Sequence, residues 1–196
     1  MASDAEEMTS KFNVVFGTSA PEATKALDEF GNEVGRSKFE LMEMASTVQD
    51  TFVPLGFARD EAAGMSTELT KLAVDMGSFN NVADADVMRD LQSAIVGNHE
   101  TMRKYGVIIT QSTLEQELYK MGVEGGISAA TEQEKVQARL NLIMAGTTDA
   151  QGDATRTAGS WANQMRALKS TLSEAATTIS TELLPFVTPL LQTIVE

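Results

Sequence analysis

Apolar residues in this chain recur three and four positions apart almost without interruption, and strict alternation never lasts more than a few residues. The first spacing lines one face of a helix, whereas a half-buried strand needs period two. "LMEMASTVQDTF" (41–52) puts Leu41, Met44, Ala45, Val48 and Phe52 on one stripe. A helix from about Ala58 to Met76 does the same with Ala62, Met65, Leu69, Leu72, Ala73 and Met76. The fold class is therefore all-α.

Start and stop signals divide the pattern into seven to nine helices joined by short glycine-containing loops. Four Ser or Thr residues precede a Glu by three, the spacing of a capping box: Ser19/Glu22, Ser37/Glu40, Ser112/Glu115 and Thr131/Glu134. Each box would satisfy backbone donors that a helix start leaves unpaired. A first helix is expected over 3–16, a second from Ser19 to about Phe30 with Gly31 as its stop, and a third from Ser37 to Pro54. "GSFNNVAD" (77–84) reads as a loop whose Asp84 caps the next helix, with Val87, Met88, Leu91, Ala94 and Ile95 on its apolar face. "GVEGGIS" (122–128) reads as a flexible loop. From about Ala154 a long helix carries Trp161, Met165, Leu168, Leu172, Ala175, Ala176 and Ile179, and is kinked or broken near Pro185 and Pro189. No internal repeat or low-complexity segment interrupts this organisation.

Charge narrows the possible partners. The net charge is −13, and residues 1–100 hold 18 acidic against 7 basic side chains. Such a half repels phosphate backbones, which argues against stable nucleic-acid binding. Residues 154–173 contain no acid but include Arg156, Arg166 and Lys169, either as a solvated helix face or as a docking edge for an acidic partner. "MASDAEEMTSKF" is acidic where a secretory leader would be basic. The most apolar run, "LLPFVTPLLQTIV" (183–195), is shorter than the roughly 18 residues of a membrane span. Its position beside Glu196 suggests a segment of a longer polypeptide.

Little in the chain suits bond chemistry. There are no cysteines, so disulfides, thiolate metal sites and cysteine nucleophiles are excluded. His99 is the only histidine. It stands just after Asn98, a good N-cap, with Glu100 in the same first turn and Gly97 and Gly106 as flanking stops. A zinc site there would have only carboxylates for its remaining ligands. "DADVMRD" brings Asp84, Asp86 and Asp90 together, but lacks the sixth-position glycine of a calcium loop and has Met88 where oxygen is required. The simpler reading makes Asp84 an N-cap with Asp86 in the first turn. Trp161, the sole tryptophan, is either a core anchor or an interface anchor for a partner. We expect no catalytic, cofactor or metal residues.

The blocks "LTKLAVDMGSFNNVADADVMRDLQSAIVGNHETMRKYGVIIT", "TEQEKVQARLNLIM", "DAQGDATRTAGSWANQMRALKSTLSE" and "LLPFVTPLL" follow one another in an order that resembles tail tape measure proteins of tailed bacteriophages and prophages. The resemblance covers about residues 38–196; residues 1–37 match less clearly. Gly97, Glu100, Tyr105 and Gly106 fall on the family's turn-helix-turn. Gly152, Asp153, Trp161, Ala162, Asn163 and Gln164 fall on its "Q-G-D…A-N-Q" block, and Pro185 on its terminal "L-L-P". Departures include His99, where the family often has threonine, and Met102, where it often has leucine.

The helix pattern and short loops give N-terminal helices over 1–37, a compact helical module over 38–150, and over 151–196 a long helix leading into a continuation. The resemblance implies a structural protein, made in the host cytoplasm, that occupies the tail tube in the virion, sets tail length and leaves at DNA ejection. The implied partners are tail tube and tail-tip proteins, tail assembly chaperones and further copies of itself as a trimer or hexamer. Any contact with a host membrane would come through regions outside this chain. From the residues alone, a generic helical module binding proteins or a membrane surface is the alternative.

Overall fold

In the computed structural model, which describes residues 2–176 and 178, every regular element is helical. The α-helices are α1 (Ala2–Phe16), α2 (Ala20–Val34), α3 (Lys38–Phe52), α4 (Arg59–Asn80), α5 (Asp84–Ile95), α6 (Gln111–Lys120), α7 (Gly126–Ala129), α8 (Glu132–Gly146) and α9 (Asp153–Arg156). A final helix, α10, covers 161–176. Three 3-10 segments, Gly17–Ser19, Val53–Leu55 and His99–Tyr105, join some of them. Ten α-helices among the described residues is slightly more than the seven to nine expected. "GVEGGIS" holds the one-turn helix α7 rather than only a loop, and the long helix expected from Ala154 is divided into α9 and α10. Its interruption is local: 157–160 form a turn, and the Ser160 hydroxyl accepts from the Asn163 N–H at 3.3 Å to open α10. The expected break at Pro185 and Pro189 lies outside the described residues.

The 22-residue helix α4 is central, packing against α2, α3, α5 and α9. Of its expected stripe, Ala62, Leu69, Leu72, Ala73 and Met76 are fully or nearly fully buried, while Met65 is half-buried. Phe12 and Phe16 stack with ring centroids 4.1 Å apart, and Phe52 meets Phe57 edge-on at 5.4 Å. With Leu27, Leu41, Leu91, Ile95, Met88, Met102 and Ile143 they form one apolar core running from α1 to α8. Each such side chain contributes about 1.5–3 kcal/mol by leaving water. Methionines fill much of that interior, where their unbranched chains suit irregular gaps between crossing helices. Leu114, Leu118, Ala130 and Ala138 form a smaller cluster between α6 and α8.

The capping signals turn out differently one by one. Thr131 and Glu134 make a full box at the start of α8, with each side chain bonded to the other's backbone N–H at 3.2 and 2.7 Å. The α6 box forms two residues before the expected one, between Thr110 and Thr113 at 3.1 and 2.8 Å. Ser37 caps the Phe39 N–H at 3.2 Å, without a return bond from Glu40. Ser19 has helical backbone angles after a 3-10 turn, so it makes no cap.

Helix ends also move. α2 runs through Gly31 to Val34 because the left-handed Gly35 (φ 65°) closes its last turn, with the Gly35 and Arg36 N–H groups both donating to the Gly31 carbonyl. α4 continues to Asn80 through residues expected in a loop, and ends at left-handed Asn81. Asp84 is the first residue of α5, and the N-cap position belongs to Ala83, which offers no side-chain acceptor. The Asp84 carboxylate is engaged elsewhere.

Candidate interaction site

Beyond the core, the most connected feature is the joint that seats α9 and α10 on α4. It begins with Asp75, a buried acid on the last turns of α4. Its two oxygens accept from the Gly152 N–H at 2.7 Å and the Ala154 N–H at 3.1 Å, so it caps α9 across the chain. One helical turn on, Ser78 donates to Asp153 at 2.7 Å and lies 3.0 Å from the Thr157 hydroxyl. The Asn163 amide donates to Ser78 at 3.0 Å and to Thr157 Oγ1 at 2.8 Å. Its oxygen accepts from Arg36 at 3.3 Å and Arg166 at 3.1 Å. Arg36 is buried and lies 2.5 Å from Asp84, while its other nitrogen donates to the Val34 carbonyl at 3.0 Å. Arg166 reaches Asn81 at 3.0 Å, and Glu174 accepts from the Lys38 N–H at 2.9 Å.

α10 is therefore attached through polar groups. Asn163 and Ser170 face inward at 3% and 7% exposure, while Trp161, Met165, Leu168 and Leu172 face outward at 77%, 46%, 52% and 62%. The placement of Trp161 corrects its reading as a core anchor. A groove of about 660 Å³ beside α10 has Leu41, Met44 and Met88 in its lining, with Glu40, Arg89 and Lys169 among its charged groups.

Burial pushes the Asp75 carboxyl above its ordinary value, against the opposing pull of the Gly152 and Ala154 N–H groups. A carboxyl raised in the fold favours the protonated folded state. Its contribution to stability is complete below the unfolded value near 3.8 and is lost as pH rises through the higher folded value. Lowering the pH through the raised folded value toward 3.8 should raise the unfolding midpoint through this group. Asp75→Asn, which cannot titrate, should flatten that part of the profile in calorimetric scans. An identical slope in the variant would remove Asp75 as its source.

The acids of "DADVMRD" do not share a focus. Asp84 pairs with Arg36, Asp86 with Arg89, and Asp90 with Lys104 at 2.6 Å and the Tyr105 hydroxyl at 2.7 Å. That correction separates Asp84 from the simple cap reading. Among the described residues, no group of three His, Cys, Asp or Glu side chains is arranged to hold a metal ion. Asp90 fastens the 3-10 segment to α5, and the Tyr105 hydroxyl is pushed up to about 12 by burial and by its bond to Asp90.

His99 opens that segment as a helix-start residue, although Asn98 supplies no side-chain cap and the segment is 3-10. Its Nδ1 is buried without a partner. Gly97 and Gly106 frame it with positive φ, and Glu100 makes an exposed pair with Arg103 at 3.2 Å. Of the other positions singled out in the sequence, Gly152, Asp153 and Asn163 meet in the joint. Gln164 is exposed one residue beyond Asn163, and Pro185 lies outside the described residues.

Arg36, Asp75, Ser78 and Thr157 were not anticipated from the sequence. The available signal was an isolated acid inside the apolar run "KLAVDMG" and a lone arginine between two helices. A scan against protein-family models, a search of curated proteins and a search of solved structures each find no match to this chain.

Proposed function

We propose that this chain is a segment of a phage tail tape measure protein, a structural and assembly protein that lies in the tail tube, sets tail length and is released at DNA ejection. The observation that carries the reading is the meeting of two resemblance blocks. "LTKLAVDMGSF" supplies Asp75 and Ser78, and "QGDATRTAGSWANQ" supplies the Gly152 N–H, Asp153, Thr157 and Asn163 that bind them. Segments separated by more than 70 residues complete one joint, which gives their shared occurrence a physical reason.

In this reading the segment acts by shape and contact, without bond-making chemistry. Its partners are tail tube and tail-tip proteins, assembly chaperones and further copies in a trimer or hexamer, inside the virion after synthesis in the host cytoplasm. The short loops and common core favour a globular or collapsible module within the ruler, since an extended ruler has no use for buried long-range contacts.

In-frame deletion of 58–150 from the full-length protein, with tails measured by electron microscopy, tests this. Lost or tipless tails are expected. Intact tails shortened by about 140 Å, the helical rise of the missing residues, would make the segment plain ruler. Normal tails would sink the tail reading. The exposed apolar stripe of α10 supports the alternative, a helical module for protein or membrane surfaces. Vesicle flotation of the purified chain distinguishes it.

A further inference from the structure

α3 and α5 run side by side in the same direction. Arg36 meets Asp84 at one end, and further along Gln92 donates to the Thr47 carbonyl at 3.3 Å and to the Thr51 hydroxyl at 2.7 Å. Between them lies the groove of about 660 Å³, with Lys169 and Ser170 of α10 as a third wall. Its sides, Glu40 to Thr47 and Ala85 to Gln92, are each about 10 Å long, or two helical turns. That length suits a helix anchored through residues i, i+3 or i+4, and i+7. Leu41, Met44 and Met88 form the apolar floor, and methionine adapts to differently shaped neighbours.

The rims carry opposite charges. Glu40 and Glu43 stand on the α3 side, and Arg89 and Lys169 on the α5 and α10 side. Among the described residues, the side chains of Glu40, Glu43 and Lys169 make neither an ion pair nor a hydrogen bond, whereas Arg89 is paired with Asp86. Burial pushes the Glu40 carboxyl above its ordinary value although Lys169 pulls the other way, so the cation across the groove does not compensate it.

We propose that this groove binds an amphipathic helix of a partner protein, with its apolar stripe on Leu41, Met44 and Met88, a cationic edge along Glu40 and Glu43, and an acidic edge along Arg89 and Lys169. Charge selects this occupant over the segments the chain itself could offer. The exposed stripe of α10 from a second copy lacks the acidic edge, because residues 154–173 hold no acid. Residues 177–196 lack the cationic edge, because they contain no lysine or arginine. The inference rests on the groove and does not depend on the tail reading.

A labelled synthetic helix of about four turns, with leucine at i, i+3, i+4 and i+7, lysine on one edge and glutamate on the other, is the probe. Its fluorescence anisotropy is followed as the full 196-residue chain is added. Saturable binding with a gain of peptide helicity by circular dichroism is expected. Peptides with lysine on both edges or glutamate on both edges should bind about 10-fold more weakly or worse. A net charge of −13 acting alone would instead favour the lysine peptide. Lys169→Glu should weaken the mixed peptide by about 10-fold. Ala85→Tyr, at an exposed position in the groove wall, should abolish binding with the circular dichroism of the chain unchanged, whereas Gln116→Tyr on α6 should bind as the parent does.

No binding of the mixed peptide at about 1 mM overturns the proposal. A lysine peptide that binds as tightly or more tightly would mean diffuse attraction to an acidic chain, and overturns it as well. Binding that survives Ala85→Tyr would lie elsewhere on the surface, and binding without added helicity would belong to an extended peptide; either result overturns it.

Discussion

Asp84→Ala should lower the unfolding free energy by about 3–5 kcal/mol, one of the two largest effects expected from a single substitution outside the apolar core. The magnitude comes from what is left behind. The Arg36 side chain is 4% exposed and cationic, and among the described residues Asp84 is its only acidic partner at hydrogen-bond distance, 2.5 Å away. Without Asp84, the Val34 carbonyl and the Asn163 oxygen remain, two neutral acceptors for a buried cation.

Asp84→Asn should retain part of the loss, since an amide oxygen still accepts but brings no charge. Arg36→Met combined with Asp84→Leu should recover most of the stability, because replacing both members of a buried pair removes the desolvation cost along with the attraction. Denaturant unfolding of the four proteins measures this, with a constant slope as the check that the unfolded state is unchanged. A loss under about 1 kcal/mol for Asp84→Ala would show that water screens the pair as at an ordinary surface.

That pair marks where sequence reading stops. Periodicity and capping are local, so they located α1 to α6 and α8, with the start of α8 within a residue, but missed α7 and ran α9 and α10 together as one helix. Thr131 and Glu134 form their box with each other and need no distant group. The Ser112/Glu115 spacing was a weaker guide because Thr110 and Thr113, with equivalent chemistry two residues earlier, close the helix start first. Asp84 looked like a cap because its nearest neighbours in sequence offer a helix start, whereas its actual partner is 48 residues away.

The same limit explains Trp161. Helical spacing tells which residues share a face, and it identified the Trp161–Leu172 stripe. Which way that face turns depends on the competing strength of the opposite side. Here Asn163 and Arg166 find Ser78, Thr157, Asn81 and Arg36 already arranged by other helices, so the polar side is drawn inward. No window of neighbouring residues contains that information.

The backbone contact beneath α10 supplies the second large effect. Gly35→Ala should destabilise the chain by about 2–4 kcal/mol and loosen α10 in particular. Two separate costs combine. Gly35 holds φ at 65°, which a side chain disfavours by about 1 kcal/mol. A Cβ placed there would also collide with the Ala167 Cβ and press on its Cα at 3.2 Å, so α10 must shift on the body.

The costs can be separated. Gly122→Ala carries a positive φ of 85° with nothing within 4 Å of the added carbon, and should show the backbone cost alone. Ala167→Gly in the Gly35→Ala background removes one of the two clashing atoms and should restore part of the difference. Limited trypsin digestion reads the local consequence, because Arg166 and Lys169 become cleavable once α10 lifts from Asn81 and Ser78. Equal losses for Gly35→Ala and Gly122→Ala, with no faster cleavage in α10, would mean that the helix does not rest on Gly35 in solution. The Trp161–Leu172 stripe would then lose the rigid support that orients it outward.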